Sequence, residues 1–536
     1  MKWRILNKGK SENVIEVLLK NRGLKTKKQQ QEFLNPLNPY TLTPKSLGIN
    51  PKELKKAISR IKQAIKKKEK IIVYGDYDAD GVCATAIVWE TLHQLGAQVM
   101  PFIPKREEGY GLKVERIDQF KKEGIGLIIT VDQGVVQIKQ LLHSQKIGLD
   151  IIVTDHHVLG KEKPKALAVV HTTKLAGAGV AWFLAAHLRG EGLDLATIGT
   201  ITDIVPLTGP NRSLVKFGLE SVKKTKRPGL LSLFRSAGLD KNKLGVYEIG
   251  YLIGPRLNAA GRMDDPLDSL RLVCTINRQR AADLAKNLDE KNRQRQALME
   301  QTTVHAREIW LKENSKSSLI FISDNSYQEG IVGLVAGKLM EEFYRPAVVI
   351  AEGKDWSKAS ARSIDEFNIV EAVRTCADIL GPHGGHPKAA GFSVETKKIS
   401  LLKKRLTKLA EKQLAKKELA RILKIDLELD LSDLNFSFYQ KISQMAPFGE
   451  GNPAPVFATR QVKVSNARLV GNDGKHLKLK VISSKSKVSF NAIAFGLGHL
   501  FSRLSPDKPV DIAYNLVLDE WNGEKKLQLK IKDIKI

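Results

Sequence analysis

The chain has 536 residues, with 87 Lys and Arg against 58 Asp and Glu, which gives a formal net charge of +29. This charge favours an extended anionic partner, and nucleic acid and an anionic membrane surface are the two candidates. No apolar run reaches the roughly 18 residues of a membrane span, and the first residues lack the apolar core of a signal peptide, so a soluble cytoplasmic protein is expected. The three cysteines, Cys83, Cys274 and Cys376, lack C-x-x-C spacing and are expected to be reduced thiols.

Strands and helices alternate in the first part of the chain. Residues 51–68 predict an amphipathic helix that begins at Pro51. Apolar runs then predict strands at 71–74, 98–103, 127–131, 150–154 and 166–170, with helices near 83–95, 114–123 and 135–145. Buried strands joined by helices are typical of a parallel, doubly wound α/β sheet, in which ligands bind beyond the carboxyl ends of the strands.

The middle of the chain has a different pattern. Residues 277–310 are polar and contain neither Gly nor Pro, which predicts one long exposed helix of the kind that bridges domains. A second α/β unit follows, with strands at 318–323 and 346–351 and a helix at 331–343 between them. A Gly- and His-rich stretch at 381–394 and a Lys-rich helix around 399–416 complete this unit.

The C-terminal segment, 421–536, changes to a period of two. LKLKV (477–481) and LQLKIKDIKI (527–536) alternate apolar residues with lysine, and GNDGK (471–475) supplies turn residues. A basic all-β module of this kind suits an oligonucleotide-binding (OB) barrel. On the pattern alone, another small half-exposed β domain is the alternative.

An acidic loop, GDYDADG (75–81), follows the first predicted strand of the parallel sheet. Its carboxylates Asp76, Asp78 and Asp80 repel one another unless a cation lies between them, and a divalent ion is the usual solution. An EF-hand is excluded, because position twelve of such a loop is Ile87 rather than Glu. The remaining alternative is an acidic turn whose carboxylates cap the next helix.

Further acidic and imidazole residues follow later elements: Asp132 after the third strand, Asp155, His156 and His157 after the fourth, and Asp203 after a helix. Because strand ends of a parallel sheet meet at one edge, we expect these residues to form a metal centre. Carboxylate and imidazole ligands without thiolate favour Mn²⁺ or Mg²⁺. There are enough ligands for two ions that share one carboxylate, an arrangement used in phosphoryl chemistry.

With these residues in place, the sequence resembles the DHH phosphoesterase family. The motifs that carry the resemblance run from about residue 50 almost to the C-terminus: GDYDADG, DHH (155–157), GAGVAWFLA (177–185), TDIVPL (202–207), IGPRLNAAGRM (253–263), SARSI (360–364), GGHPKAAGFSV (384–394), PFGEGNPAPVF (447–457) and WNGEKKLQLKIKDI (521–534). The resemblance implies a metal-dependent single-stranded-DNA exonuclease that works 5′→3′, releases 5′-mononucleotides and serves DNA repair and recombination.

The resemblance also implies a division of the chain. It assigns 1–50 to an N-terminal extension, 51–220 to a DHH catalytic domain, 221–312 to a helical connector, 313–420 to a substrate-binding DHHA1 domain and 421–536 to an OB-fold domain. The expected partner is single-stranded DNA, with a single-strand-binding protein and a RecQ-type helicase as further partners of a monomer. The chain is expected to lack the additional C-terminal domain that some family members carry, which leaves those two protein partners open.

The family's site residues are carried over position by position. Its ligands for two divalent cations, Mn²⁺ or Mg²⁺, fall on Asp76, Asp78, Asp80, Asp132, His156 and Asp203. Asp132 is implied as the bridge between the ions, and catalysis is assigned to Asp132, Asp80 and His157, of which His157 faces phosphate or acts as an acid. Arg106, Ser360 and Arg362 are implied at the 5′-terminal phosphate. The remaining implied substrate contacts are Arg256, Asn258, Arg262 and His386; a turn-stabilising role is the alternative for His386.

Departures from the family pattern and two alternative functions accompany the resemblance. Tyr327, Gln328 and Glu329 stand where the family often has Trp-His-Pro, and Gln133 replaces the Cys or Asn common beside the bridging Asp, without an expected effect on ligation. An oligoribonuclease or cyclic-dinucleotide phosphodiesterase of the same superfamily is one alternative. A non-catalytic single-strand-binding subunit is the other.

Overall fold

The computed structural model describes residues 1–7, 13–109, 111–313, 316–415, 417–505, 508–521 and 524–536. The chain forms two compact units. The first unit contains Met1–Gly254, Ser269–Ala282 and Ile422–Ile536, and the second contains Pro255–Asp268 and Asp283–Arg421. None of the described helices combines the length and the apolar composition that a membrane span requires.

The N-terminal part of the first unit contains one strand and several helices. They are β1 (Lys2–Ile5), α1 (Val14–Asn21), α2 (Lys27–Leu34), α3 (Pro44–Leu47) and α4 (Pro51–Lys66). The predicted amphipathic helix is α4, whose first residue is Pro51 and whose N-cap is Asn50. Its apolar face is buried, which fixes the helix beside the parallel sheet that follows.

The described residues next form a five-stranded parallel sheet with helices between its strands. Its elements, with the three helices that follow it, are β2 (Lys70–Tyr74), α5 (Ala79–Gln94), β3 (Gln98–Phe102), α6 (Val114–Lys122), β4 (Ile125–Val131), α7 (Ile138–Lys146), β5 (Asp150–Asp155), β6 (Ala168–His171), α8 (Gly177–His187), α9 (Leu193–Thr202) and α10 (Gly209–Lys223). The strand order is β3-β2-β4-β5-β6. From β2 the chain adds β3 on one side and then β4, β5 and β6 on the other side. The switch point between β2 and β4 is the place where such folds bind ligands. The predicted doubly wound sheet is confirmed.

Helical elements occupy most of the next 90 residues. They are α11 (Pro228–Ser236), a π-helix (Glu248–Ile253), α12 (Gly254–Met263), α13 (Leu267–Cys274) and α14 (Arg278–Glu313). The long polar helix predicted at 277–310 is α14. The segment expected as one connector, 221–312, is divided between the two compact units.

The second unit contains a mixed five-stranded sheet in the order β10-β11-β9-β8-β7. Its elements are β7 (Ile320–Asp324), α15 (Glu329–Phe343), β8 (Ala347–Ala351), β9 (Trp356–Arg362), α16 (Ile369–Arg374), β10 (Leu380–His386), β11 (Ala389–Glu395) and α17 (Ile399–Leu414). Strands β7 and β8 are parallel, and the other described pairs are antiparallel. The Gly- and His-rich stretch forms the β10–β11 hairpin.

The C-terminal part returns to the first unit and forms the predicted barrel. Its elements are β12 (Ile422–Ile425), β13 (Leu427–Glu428), α18 (Phe436–Ser443), β14 (Phe457–Val470), β15 (His476–Ser483), β16 (Ser489–Ala494), β17 (Val510–Trp521) and β18 (Glu524–Lys535). Strand β14 pairs with both β15 and β17, which closes the sheet. Leu477, Leu479 and Val481 are buried between the exposed Lys478 and Lys480, as the period of two predicts.

The N-terminal extension is part of the barrel's packing. Strand β1 pairs in parallel with β12, and Leu18, Leu19 and Phe33 belong to the barrel core. Arg212 on α10 joins this assembly to the parallel sheet. Its guanidinium lies 3.9 Å over the Phe33 ring and donates hydrogen bonds to the carbonyls of Phe33 and Ala446 at 2.7 and 2.8 Å.

Candidate metal centre

Strand register explains why the acidic residues meet. Tyr74 of β2 pairs with Thr130 of β4, and Thr130 pairs with Val153 of β5. An aspartate follows two residues after each of these three: Asp76, Asp132 and Asp155. The carboxylates therefore leave three adjacent strands at the same level, and this edge of the sheet becomes the candidate site.

Two of the three carboxylates in the acidic loop accept hydrogen bonds from helix amides. Asp78 caps α5, with Oδ1 accepting from the Gly81 amide at 2.9 Å. Asp80 accepts from the amides of Gly177 and Ala178 at 2.7 and 2.9 Å, which ties α5 to the start of α8. By contrast, the buried Oδ1 of Asp76 has no hydrogen-bond partner among the described residues. Helix capping therefore explains part of the loop but leaves Asp76 unexplained.

Asp132 is held in a backbone conformation that side chains rarely adopt. Its φ is +61°, in the left-handed region, and the residue is 3% exposed. Such strain persists only where the surrounding structure enforces it, and it concentrates at functional sites. Ile204, directly after Asp203, has a φ of +59°. Two of the predicted ligands are thus positioned at or beside strained residues.

His156 approaches two carboxylates from the end of β5. Its Nε2 lies 3.1 Å from Asp132 Oδ1 and 3.6 Å from Asp203 Oδ2. Asp203 reaches this point from the C-cap of α9. Burial, followed by the charge of His157, lowers the pKa of His156 to about 4, so the imidazole is neutral, as a metal ligand must be.

Asp155 orients the two histidines and is fully buried. Its Oδ1 accepts from the His157 amide at 3.0 Å and contacts His157 Nδ1 at 2.7 Å, and its Oδ2 accepts from the Val135 amide at 3.0 Å. Burial opposes the charged imidazole of His157, but the bond to Asp155 outweighs it and raises the pKa of His157. Asp155 therefore fixes the ring of His157, and both of its carboxylate oxygens form hydrogen bonds within the protein.

The geometry fits bound cations. Three sets of ligand atoms lie within 4.8 Å of one another: Asp76, Asp78 and Asp132; Asp80, His156 and Asp203; Asp132, His156 and His157. Burial, and then the charge of neighbouring carboxylates, raises the pKa of four groups: Asp76, Asp80, Asp132 and Asp203. A cluster of buried like charges is unfavourable on its own, and positive ions between them remove the repulsion.

Two glycines that were not predicted as site residues permit this crowding. A Cβ on Gly177 would lie 2.2 Å from Asp132 Oδ1, and one on Gly199 would lie 2.4 Å from Asp80 Oδ1. Helices α8 and α9 can approach the carboxylates only because these positions lack a side chain. The small residues in GAGVA were the available sequence signal. Gln133, noted only as a departure, donates to the Gly75 carbonyl at 2.6 Å and links the ends of β4 and β2.

Ser360 and Arg362 lie together in the second unit. Arg362 Nη1 donates to Ser360 Oγ at 3.0 Å, and a Cβ on Gly333 of α15 would lie 2.9 Å from that Oγ. Burial lowers the pKa of the Arg362 guanidinium, and among the described residues it forms no ion pair with a carboxylate. A half-buried cation beside a hydroxyl and the first turns of a helix suits an anion.

The other predicted substrate residues have varied surroundings. Arg106 lies 4.4 Å from the ring of Tyr77, inside the acidic loop. Arg256 is paired with Asp289 at 2.8 Å, and Arg262 donates to the Gly330 carbonyl at 3.1 Å. Asn258 lies on α12, and His386 is exposed at the end of β10. Arg256 and Arg262 therefore have internal partners in addition to any substrate.

Family models match three parts of the chain: the DHH family N-terminal domain at 70–204, the DHHA1 domain at 316–412 and the RecJ OB domain at 425–533. Together with the acidic edge of the parallel sheet, these matches define a DHH-family protein that carries DHHA1 and OB domains.

Similar proteins narrow the family further. Single-stranded-DNA-specific exonuclease RecJ of Bacillus subtilis (strain 168) is 35% identical over 97% of this chain and 67% of that protein. The protein of the same name from Escherichia coli (strain K12) is 32% identical over 90% of each chain. A crystal structure of RecJ from Thermus thermophilus in complex with Mn²⁺ covers 100% of this chain and 79% of its own, with a TM-score of 0.84 and 30% identity. The chain belongs to the RecJ family.

Proposed function

We propose that the protein is a metal-dependent exonuclease that degrades single-stranded DNA 5′→3′ to 5′-mononucleotides in the cytoplasm, during DNA repair and recombination. The observation that carries the proposal is the convergence of Asp76, Asp132, His156 and Asp203 at one sheet edge of a RecJ-family chain. The other superfamily activities are not favoured, because the chain carries a RecJ OB domain. A silent binding subunit is not favoured either, because every implied ligand is present.

The residues that would hold two divalent cations, Mn²⁺ or Mg²⁺, are the six predicted ligands. Asp132 belongs to two of the three ligand sets, which supports its proposed role as the shared carboxylate. When bound, the cations lower the pKa of water and neutralise charge that develops on phosphate. Asp80 has a second role, since its bonds to the amides of Gly177 and Ala178 hold α5 to the start of α8.

His157 is proposed to face the substrate phosphate. Asp155 holds its Nδ1, so the ring has one orientation and Nε2 is the nitrogen presented to a phosphate oxygen. A histidine that carries its proton on Nε2 can donate to that oxygen or protonate a leaving oxygen. The buried Asp155 is thus a positioning residue for His157.

Gly177→Ala should weaken Mn²⁺ binding by at least about tenfold, because the new methyl group would displace Asp132 without removing a ligand. Titration calorimetry with Mn²⁺ measures this effect. Gly160→Ala is the matched control, since a Cβ there meets no atom within 4 Å. Equal affinities for the two variants would contradict the proposed place of Asp132 in the metal centre.

The 5′ end is proposed to be read by Arg106, Ser360 and Arg362. Two cations cannot set direction, because every phosphodiester presents the same groups to them. A terminal phosphate carries extra negative charge, which a guanidinium and a hydroxyl bind by charge-assisted hydrogen bonds. Arg362 supports this proposal, because it is a cation without a carboxylate partner among the described residues.

Arg362→Ala should slow digestion of 5′-phosphorylated strands by about tenfold more than digestion of 5′-hydroxyl strands, because only the former lose a charge-assisted contact. Single-turnover rates on matched oligonucleotides measure the difference. Arg374→Ala removes an exposed arginine of the same unit that pairs with Glu371 and serves as the control. Proportional losses on both substrates would remove Arg362 from end recognition.

The barrel is proposed to bind the single strand that extends from the site. Lys478 pairs across β15 and β16 with Ile493, which pairs with Lys530 of β18, and Lys530 lies 5.4 Å from the exposed ring of Phe495. Basic groups interleaved with an aromatic ring suit phosphates and bases of a single strand. A single-strand-binding protein and a RecQ-type helicase are proposed as further partners of a monomeric enzyme.

The reaction itself is tested by its products. Incubation of the purified protein with a 5′-phosphorylated single strand and Mn²⁺ should release 5′-mononucleotides, identified by chromatography, and EDTA should stop their release. Products that are long fragments would indicate an endonuclease, and products with a 3′-phosphate would contradict the proposed bond cleavage.

A further inference from the structure

Two tyrosines of the first unit form an exposed stacked pair. Tyr247 is the N-cap of the π-helix and Tyr251 lies within it. Their ring centroids are 5.1 Å apart with an interplanar angle of 27°, and the residues are 59% and 69% exposed. Two large rings that lie side by side in solvent contribute little to a core. A π-helix is rare and is found frequently at functional sites.

The π-helix lies against the helix that carries Asp203. A Cβ on Gly250 would meet the Ile201 side chain at 3.4 Å, and one on Gly254 would lie 2.6 Å from the Thr202 methyl. Ile201 and Thr202 form the last turn of α9, and Asp203 is the next residue. The two glycines therefore place the tyrosine-bearing helix directly beside the turn that supplies a predicted metal ligand.

The same segment also adjoins the barrel module. A Cβ on Gly449 would lie 3.4 Å from Val246, next to Tyr247, and 2.7 Å from Leu207. The Leu207 amide donates to the Glu450 carbonyl at 2.7 Å. All of these residues belong to the first unit. The tyrosine pair thus lies in a segment that contacts both the end of α9, beside Asp203, and the barrel module.

We propose that Tyr247 and Tyr251 are a stacking platform for the bases of the single-stranded substrate, which extends the proposed function by naming a determinant of strand selectivity. The occupant is a run of unpaired bases, whose faces can stack on tyrosine whatever their sequence. In a duplex each base face is covered by its neighbours, so a paired strand cannot use the platform without unstacking. Phosphates, by contrast, can be contacted in both single and paired strands, so phosphate contacts alone do not select single strands.

The test compares binding of two single strands of equal length, about 12 nucleotides, one of thymidines and one of abasic sites, both with a 5′-phosphate. Fluorescence anisotropy in EDTA measures affinity without hydrolysis. The double variant Tyr247→Ala, Tyr251→Ala should bind the thymidine strand at least about fivefold more weakly, the loss expected for one stacked base. It should bind the abasic strand within about twofold of the parent protein, because phosphate contacts are unchanged.

Two controls keep the result interpretable. Tyr247→Phe with Tyr251→Phe retains both rings and should bind the thymidine strand as the parent does. Tyr40→Ala removes another exposed tyrosine of the first unit and should leave both affinities unchanged. Equal losses on both strands, or no loss on the thymidine strand, would overturn the platform. Hydrolysis of the thymidine strand by the parent protein with Mn²⁺ is measured in parallel, so a failure of the proposed function is seen separately.

Discussion

Asp132→Asn should reduce the rate of single-stranded-DNA hydrolysis by more than about 100-fold. Loss of a residue that only hydrogen-bonds to a metal ligand costs about 10- to 100-fold, and loss of a ligand itself should cost more. The substitution keeps the size of the side chain but removes the charge that both proposed cations would share. Asparagine is the informative choice because it tolerates left-handed backbone, and Asp132 has a φ of +61°. Alanine would add backbone strain to the loss of a ligand.

Single-turnover rates at saturating Mn²⁺ measure the effect, and anisotropy shows whether the variant still binds single strands. Binding should persist, because the barrel and basic surface are untouched. Asp118→Asn is the control, since Asp118 lies on α6 and contacts His143 rather than the cluster. A rate within about threefold of the parent would contradict a bridging role for Asp132.

Arg212→Met should destabilise the first unit by about 3 kcal/mol or more. Arg212 is 1% exposed, and its guanidinium donates to the carbonyls of Phe33, Ala446 and Pro447. Methionine fills similar space but leaves these buried acceptors without donors. Burial lowers the pKa of Arg212 to about 10, so the arginine remains charged at neutral pH.

Urea unfolding followed by tryptophan fluorescence measures the loss as an unfolding transition at a lower urea concentration. Lys223→Met on the same helix is the control, because Lys223 lies near the surface and pairs with the exposed Glu220. Its effect should stay within about 0.5 kcal/mol. Matching transitions for the two variants would show that Arg212 does not hold α10 to the barrel and the N-terminal helices.

The edge of the parallel sheet could be predicted because its signals are local. An aspartate follows each of three apolar runs within two residues, and the parallel register of β2, β4 and β5 then brings Asp76, Asp132 and Asp155 to one level. Period-two alternation similarly predicted β15, whose leucines are buried and whose lysines are exposed. Both patterns need only the spacing of side chains along one strand.

Other features depend on contacts between segments that are distant in sequence. The pairing of β1 with β12 joins residues about 420 positions apart, and no local pattern specifies it. The role of Asp155 as an orienting residue was not apparent, because a motif does not show which carboxylate is fully buried. Strand β9 and the β10–β11 hairpin were not predicted, since Ala, Gly and Ser give weak strand signals.

The most direct test of the account uses single strands and duplexes labelled separately at the 5′ and 3′ ends, incubated with Mn²⁺, Mg²⁺ or EDTA. The account predicts that single strands with a 5′ label release labelled mononucleotide from the start of the reaction. Strands with a 3′ label should shorten progressively, while blunt duplexes and all EDTA samples remain intact. Early release of mononucleotide from the 3′ label, equal digestion of duplexes, or hydrolysis in EDTA would contradict a metal-dependent 5′→3′ exonuclease of single strands.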